Sequence, residues 1–441
     1  MLSRASKLLF TIPIQVLMLA MILVSGANAA EPSQTAWVTN PQLRVRIAVA
    51  PPVGQAAPAA TVDKYLHENL SFLPFANLVD PRSVPGGAEQ SVVTGPELDL
   101  RRFQLAGAHM LITTGWSSDS GRPKAEIRAF DVTTGKFVFG NAYANVDNNT
   151  AADVADSFCA DFMKALTGSG EFFRSTLVFS KSASPAKKDI WTVKPMGRGL
   201  RRLTNMQGDA LSPSWSRDGR FVIFSHVDVR THGLGVWDAE TNKVQRIRFP
   251  GNTVIGPCFM PDNKVAVSLS TGKNPGIFLL DHRFRREKTI ENSASIDVSP
   301  SVDASGTRMA FVSSRMGNPH IFMKDLRTGQ VRRITYDGKY NTEPSISPDG
   351  TLVAFSRMVN GKHRIFVHDL VRQTETQLSF GPGSDEQPAF APDNYFIAFA
   401  STRSGKREIY LTTRNGGEAK LVPTGPGDAS FPAWGPAVKM K

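Results

Sequence analysis

Glu343-Pro344-Ser345-Ile346-Ser347-Pro348-Asp349-Gly350-Thr351-Leu352-Val353-Ala354-Phe355-Ser356 reads as a strand, a tight turn and a second strand. Asp349-Gly350 is turn chemistry, because glycine accepts a positive φ and aspartate bonds its own backbone. Val353-Ala354-Phe355 is apolar enough for a buried strand. Outward from this stretch, the unit recurs at Pro213, Pro257, Pro300, Pro344, Pro388 and Pro432, spaced 44, 43, 44, 44 and 44 residues apart. Two positions after each proline stands an apolar residue (Trp215, Phe259, Val302, Ile346, Phe390, Trp434). Gly219, Asn263, Gly306, Gly350 and Asn394 end the turns that follow.

Four short strands in about 40–45 residues is the length of a propeller blade. Such units cannot bury both faces alone and must pack around an axis, so six copies predict six blades. The last copy holds one strand, at Phe431-Pro432-Ala433-Trp434, while Leu177–Thr204 supplies three strands and no anchoring proline. The two fragments add to one blade, closed by the C-terminal strand.

Ahead of the repeats, Arg4 and Lys7 precede an apolar run from Leu8 to Val24, and Ala27-Asn28-Ala29 is an A-x-A pattern. Residues 1–29 are expected to be a signal peptide cleaved after Ala29, with an uncleaved anchor as the alternative. No cysteine follows the run, which excludes a lipoprotein anchor. Residues 30–42 read as a flexible leader with one apolar pair, Trp37-Val38. Residues 43–168 read as a small α/β domain. Its strands are Leu43–Ala50, Met110–Trp116, Ala125–Val132 and Lys136–Ala144; its helices are Thr61–Phe72, Glu97–Ala106 and Thr150–Leu166. In the last helix Val154, Phe158, Phe162 and Leu166 share a face, Thr150 is the expected N-cap and Gly168 the stop. Residues 169–175 look like a hinge, 176–436 the propeller and 437–441 a tail.

The formal charge of +12 over 441 residues comes as dispersed pairs such as Arg285-Arg286 and Arg332-Arg333. That pattern suits a solvated surface and gives no sign of nucleic-acid binding. Loss of Arg4 and Lys7 leaves +10. Cys159 and Cys258 fall in different domains and are expected as free thiols.

No G-x-S-x-G, phosphate-loop or H-E-x-x-H motif occurs, and the eight histidines do not cluster. No catalytic residue, cofactor or metal is therefore expected. Asp218, Asp262, Asp349 and Asp393 recur at the repeat spacing and read as turn residues rather than calcium ligands. The segments before the anchoring prolines are polar and acidic: Asp209; Asn252 and Thr253; Asp297; Asn341, Thr342 and Glu343; Asp385 and Glu386; Asp428. In a propeller they would ring one mouth of the channel. Two readings stay open, solvated loops or a docking rim for a basic partner.

The repeat Pro344-Ser345-Ile346-Ser347-Pro348-Asp349-Gly350…Val353-Ala354-Phe355-Ser356 resembles that of the TolB family. So does the order of signal peptide, α/β domain, six-bladed propeller and closing Phe431-Pro432-Ala433-Trp434. The resemblance covers roughly residues 43–436. It implies a monomeric, non-enzymatic periplasmic protein of the Tol–Pal system that supports outer-membrane integrity and division. It further implies that the rim residues named above contact the peptidoglycan-associated lipoprotein Pal, which would hold the chain peripherally at the outer membrane. TolA would be bound through the leader. The family's leader is rich in Val and Ile, whereas Glu31–Gln42 offers only Trp37-Val38. A channel-sited lyase or glycan hydrolase, and a peptidoglycan or small-ligand sensor, are the alternatives.

Overall fold

The structure, a computed structural model, describes residues 44–437 except 120, 185–186, 230, 250–251 and 272–273. The expected signal peptide, the leader with Trp37 and Val38, and the tail beyond 437 lie outside the described residues.

The N-terminal sheet runs Ala76–Leu78, Val45–Val49, Met110–Asp119, Arg122–Asp131, Phe137–Tyr143. Its first two pairings are parallel and the rest antiparallel. The helix Ala59–Phe72 makes the crossover a parallel pair requires and buries Val62, Leu66 and Leu70. Ala151–Thr167 packs beside it and buries the predicted Val154, Phe158, Phe162 and Leu166. Gly168 stops it at φ 84°, its N–H bonded to Lys164 O at 2.9 Å. Thr150 takes the expected N-cap position, but its side chain makes no capping bond into the helix. Its backbone is already helical (φ −92°, ψ −9°), so its Oγ1 turns back to accept from Asp147 N, while Asp147 Oδ1 accepts from Thr150 N. The expected helix over 97–106 shrinks to Leu100–Leu105, opened where Asp99 pairs with Arg102.

The rest is six antiparallel four-stranded sheets. Blade 1 joins the C-terminal strand Asp428–Trp434 to Leu177–Ser184, followed by Lys187–Val193 and Arg201–Arg202. Blades 2 to 6 span residues 209–247, 252–291, 297–333, 341–377 and 385–421. The innermost strand of each touches the innermost strands on both sides, which closes the ring. The turn residues behave as read: Gly219, Asn263, Gly306, Gly350 and Asn394 all have φ between 58° and 74°. Asp349 Oδ1 accepts from Ser347 Oγ, Thr351 N and Thr351 Oγ1.

Residues 169–175 are a packed joint where a hinge was expected. Glu171–Arg174 forms a 3-10 turn that buries Phe172 and Phe173. Phe172 stacks on Phe396 at 4.1 Å and meets Trp434 at 5.6 Å. Phe75 of the α/β domain meets Tyr395 edge-on at 5.9 Å. Beside them the buried Asp156 accepts from Asn69 at 2.9 Å, Lys194 at 3.0 Å and Arg198. Two Phe side chains of this size anchor a seam, because burying each contributes roughly 1.5–3 kcal/mol. No helix among the described residues is long and apolar enough to cross a membrane.

One acid under this seam is poorly solvated. Asp393 is buried; its Oδ1 accepts from Tyr395 N and Phe396 N, but Oδ2 has no partner. Burial pushes its carboxyl from 3.8 up to about 6, against the pull of those N–H groups and Arg414. An acid raised on folding lowers stability where it is ionised in both states. Here that penalty is full above about pH 6 and fades as pH falls towards 3.8. At about 1.4 kcal/mol per pH unit it reaches roughly 3 kcal/mol. Asp393→Asn, a mimic of the protonated form, is expected to be more stable than the natural chain at pH 8 and to lose that advantage by pH 4. Urea midpoints of both proteins at the two pH values check this; a pH-independent difference would contradict it.

Candidate functional site

The six innermost strands leave a channel about the axis, a cavity of 500 Å³ walled by Pro213, Pro257, Pro300, Pro344, Pro388 and Pro432 with their neighbours. Each strand carries a bulge at its proline. In blade 5, Glu343 and Pro344 together oppose Phe355, between the pairs Thr342↔Ser356 and Ser345↔Ala354. The residue before every proline is left-handed: Ser212 (φ 51°), Gly256 (52°), Ser299 (56°), Glu343 (55°), Gln387 (58°) and Phe431 (52°). For a side-chain-bearing residue this conformation costs roughly 1–2 kcal/mol. Hydrogen bonds from the preceding blade help hold it. Ser299 N donates to Ser268 Oγ (3.1 Å), Gln387 N to Glu343 Oε2 (2.9 Å) and Phe431 N to Gln387 Oε1 (2.8 Å). The serine after the proline makes a second tie, as when Ile346 N donates to Ser301 Oγ and Phe390 N to Ser345 Oγ, both at 3.0 Å. The wall is thus a ring of inter-blade bonds.

The residues predicted as an acidic rim divide three ways. Glu343 lies inside the channel. Burial raises its carboxyl above the usual range, Glu386 adds to this, and the bonds from Ser356 Oγ and Gln387 N oppose it. Thr253 also faces the channel. Asp297, Asn341 and Asp385 are fully buried. Asp297 accepts from Ser313 Oγ (2.6 Å), Ser293 N (2.7 Å) and Arg315 Nη2 (3.0 Å). Burial works against its ionisation, but these bonds outweigh it and hold the carboxyl below the usual range. Asp385 accepts from Arg403 Nη2 at 2.9 Å and Arg364 Nη1 at 3.4 Å. Asn341 Oδ1 accepts from Arg357 Nε at 2.7 Å. The remaining residues stay near the mouth. Asp209 accepts from Lys188 N, Glu386 pairs with Arg407 at 2.7 Å, Asp428 is exposed, Thr342 is half-buried and Asn252 opens its strand. An acidic docking rim is therefore corrected for Asp297, Asn341 and Asp385, which are walled in, and for Glu343, which belongs to the channel wall.

The partners of Asp297, Asn341 and Asp385 are arginines the sequence reading passed over. Arg315 lies over Phe311 and Phe322, Arg357 over Phe355 and Phe366, and Arg403 over Phe399 and Tyr410, with centroid distances of 4.5–5.5 Å. Each guanidinium is held between two rings and aimed at the start of its own inner strand. The paired segments Ser313-Ser314-Arg315 and Ser401-Thr402-Arg403 carried the signal.

The α/β domain packs against the far ends of the inner strands, beside Trp434 and Tyr395. Among the described residues, nothing covers the mouth at their near ends. Its loops expose Ile296, Met316, Tyr336, Tyr340, Met358 and Phe380 at 41–72%. Exposed apolar side chains gathered at one end of a fold are a feature that interaction surfaces share.

Residues 163–438 match the family described as the TolB beta propeller domain, PD40. A Tol-Pal system protein TolB from Nitratidesulfovibrio vulgaris is 57% identical over 308 residues, 68% of this chain and 70% of that protein. A TolB homolog of Chlorobium luteolum is 30% identical over 279 residues, 62% of this chain and 63% of its own. The crystal structure of TolB from Acinetobacter baumannii superposes with a TM-score of 0.77 at 19% identity, covering 90% of this chain and 98% of that one. At that identity the likeness is one of fold.

Proposed function

The chain belongs to the TolB family, and on that premise we propose that it is a non-enzymatic, periplasmic docking protein of the Tol–Pal system. In this reading the signal peptide is removed after Ala29. The open propeller mouth binds the peptidoglycan-associated lipoprotein Pal, which keeps the monomer peripheral to the outer membrane. The leader, through Trp37 and Val38, engages TolA. Exchange between the two partners supports envelope integrity and division.

The observation that carries the reading is the open mouth. It exposes apolar side chains and is uncovered by the described residues, while the acids Asp297, Asp385 and Glu386 beside it are spent on arginines of the scaffold. Glu343, the carboxylate most able to suggest acid–base chemistry, already accepts from a serine hydroxyl and a backbone N–H. Calorimetric titration of the mature chain with the soluble domain of its own organism's Pal is expected to give saturable one-to-one binding. Absence of binding at 100 μM (about −5.5 kcal/mol) overturns it. A Trp37→Ala chain is expected to keep Pal and lose TolA in the same assay.

A further inference from the structure

The exposed apolar side chains are not spread evenly round the mouth. Ile296 belongs to the link into blade 4, Met316 to blade 4, Tyr336 and Tyr340 to the link between blades 4 and 5, Met358 to blade 5, and Phe380 to the link into blade 6. Elsewhere at this end of the propeller, among the described residues, the exposed large apolar side chains are Val229 in blade 2 and Leu421 on the outer strand of blade 6. The six fall in one sector, or arc, of the mouth, and contacts tie several of them to their neighbours. Ile296 O accepts from Ser314 N, two residues from Met316. Arg333 reaches Met316 Sδ at 3.8 Å and lies over the Tyr336 ring at 5.1 Å, and Tyr336 Oη donates back to Arg333 O at 3.1 Å. Tyr340 meets the His363 ring edge-on at 5.8 Å and its carbonyl accepts from Met358 N. Both tyrosines are thus partly ordered before any partner arrives, which lowers the entropy lost on binding.

The charge of the arc is the reverse of the rim expected from sequence. Lys339 and Lys362 are exposed and Arg333 half-buried. No carboxylate of the described residues lies within 4 Å of any of the three. Asp337 is the exposed acid among them. The acids that would have balanced them, Asp297 and Asp385, are buried against Arg315 and Arg403. Tyrosine, methionine and arginine are the residue types enriched at protein interfaces, and a cationic border favours an anionic partner.

Resting on the docking reading above, we propose that the partner seats off-axis on blades 4 to 6, and that the surface it brings is acidic around an apolar centre. The tyrosines supply contact area, and Lys339, Lys362 and Arg333 set the sign of the charge that can approach.

The test is calorimetry of the mature chain with the soluble Pal domain at 50 and 300 mM salt. It compares the natural chain with Lys339→Glu/Lys362→Glu, with Tyr336→Ala/Tyr340→Ala, and with Asp428→Lys on the other side of the mouth. All these side chains except Tyr340 and Asp428 stand free of partners beyond their own or the next loop, and unchanged thermal midpoints confirm folding. The expected result is at least a tenfold loss of affinity for each arc variant, less than twofold for Asp428→Lys, and weaker natural binding at the higher salt. If the natural chain binds Pal and both arc variants match it within twofold, the arc is overturned and the docking reading stands. If the natural chain does not bind, the docking reading itself fails. If the charge-reversed pair instead loses binding to anionic phosphatidylglycerol vesicles while Pal affinity is unchanged, the arc is a lipid surface and the proposal is overturned.

Discussion

A chain ending at Gly427 is expected to lose the cooperative fold of the propeller. The segment Asp428–Trp434 is the innermost strand of blade 1, paired antiparallel with Leu177–Ser184. It fastens the end of the chain to the beginning of the propeller, with Lys181 Nζ donating to Thr424 O (2.6 Å) as a smaller tie beside it, and it also packs against the inner strands of blades 2 and 6. Its removal uncovers Val178 and Phe179, both fully buried, and leaves their strand as an open edge. It also takes away Trp434, whose ring meets Phe172 and whose Nε1 donates to Ala389 O at 3.1 Å. The lost terms together rival the whole stability of an ordinary domain, about 5–15 kcal/mol. Scanning calorimetry should show no cooperative propeller transition in the truncated chain, and size exclusion should show aggregate. A monomer melting within a few degrees of the full-length protein would mean that the ring does not depend on closure.

That closure was legible in the sequence for a definite reason. The anchoring prolines and the Gly or Asn turn ends recur at a fixed local spacing, and the missing strand at one terminus could be matched against the surplus at the other. The inner-strand bulge was hidden in the same pattern. A residue before proline ordinarily avoids helical backbone for an extended one, yet Ser299, Gln387 and Phe431 are left-handed because neighbouring blades capture the N–H groups this conformation frees. That compensation crosses about 30–44 residues. It cannot be seen in any window around one proline. The same holds for residues 169–175. Gly168-Ser169-Gly170 looks like a hinge until Phe172 is seen to have Phe396 and Trp434 to stack on. Polar residues before each proline read as loop, although by Asp297 and Asp385 the inner strand has already begun.

Replacement of Asp385 by alanine puts the corrected role of these acids to its sharpest test. Asp385 is inaccessible to solvent, and its partners Arg403 and Arg364 are themselves only 19% and 11% exposed. Arg403 is held over Phe399 and Tyr410 and cannot swing into water without giving up both rings. Deleting the carboxylate leaves two buried guanidinium groups without a counter-charge, a change that costs about 3–5 kcal/mol. Asparagine should cost distinctly less. Blade 5 already uses Asn341 at the matching place, where its Oδ1 accepts from Arg357 while Glu375 supplies the counter-charge. Urea denaturation should therefore rank the proteins natural chain, Asp385→Asn, Asp385→Ala in falling stability. Pal affinity, measured under conditions where all three remain folded, should hardly change. A docking rim predicts the opposite pattern, with affinity falling in both variants and stability nearly constant. The two roles separate because a buried, ring-clamped ion pair contributes to the fold whether or not a partner is present, whereas a rim carboxylate contributes only when one arrives.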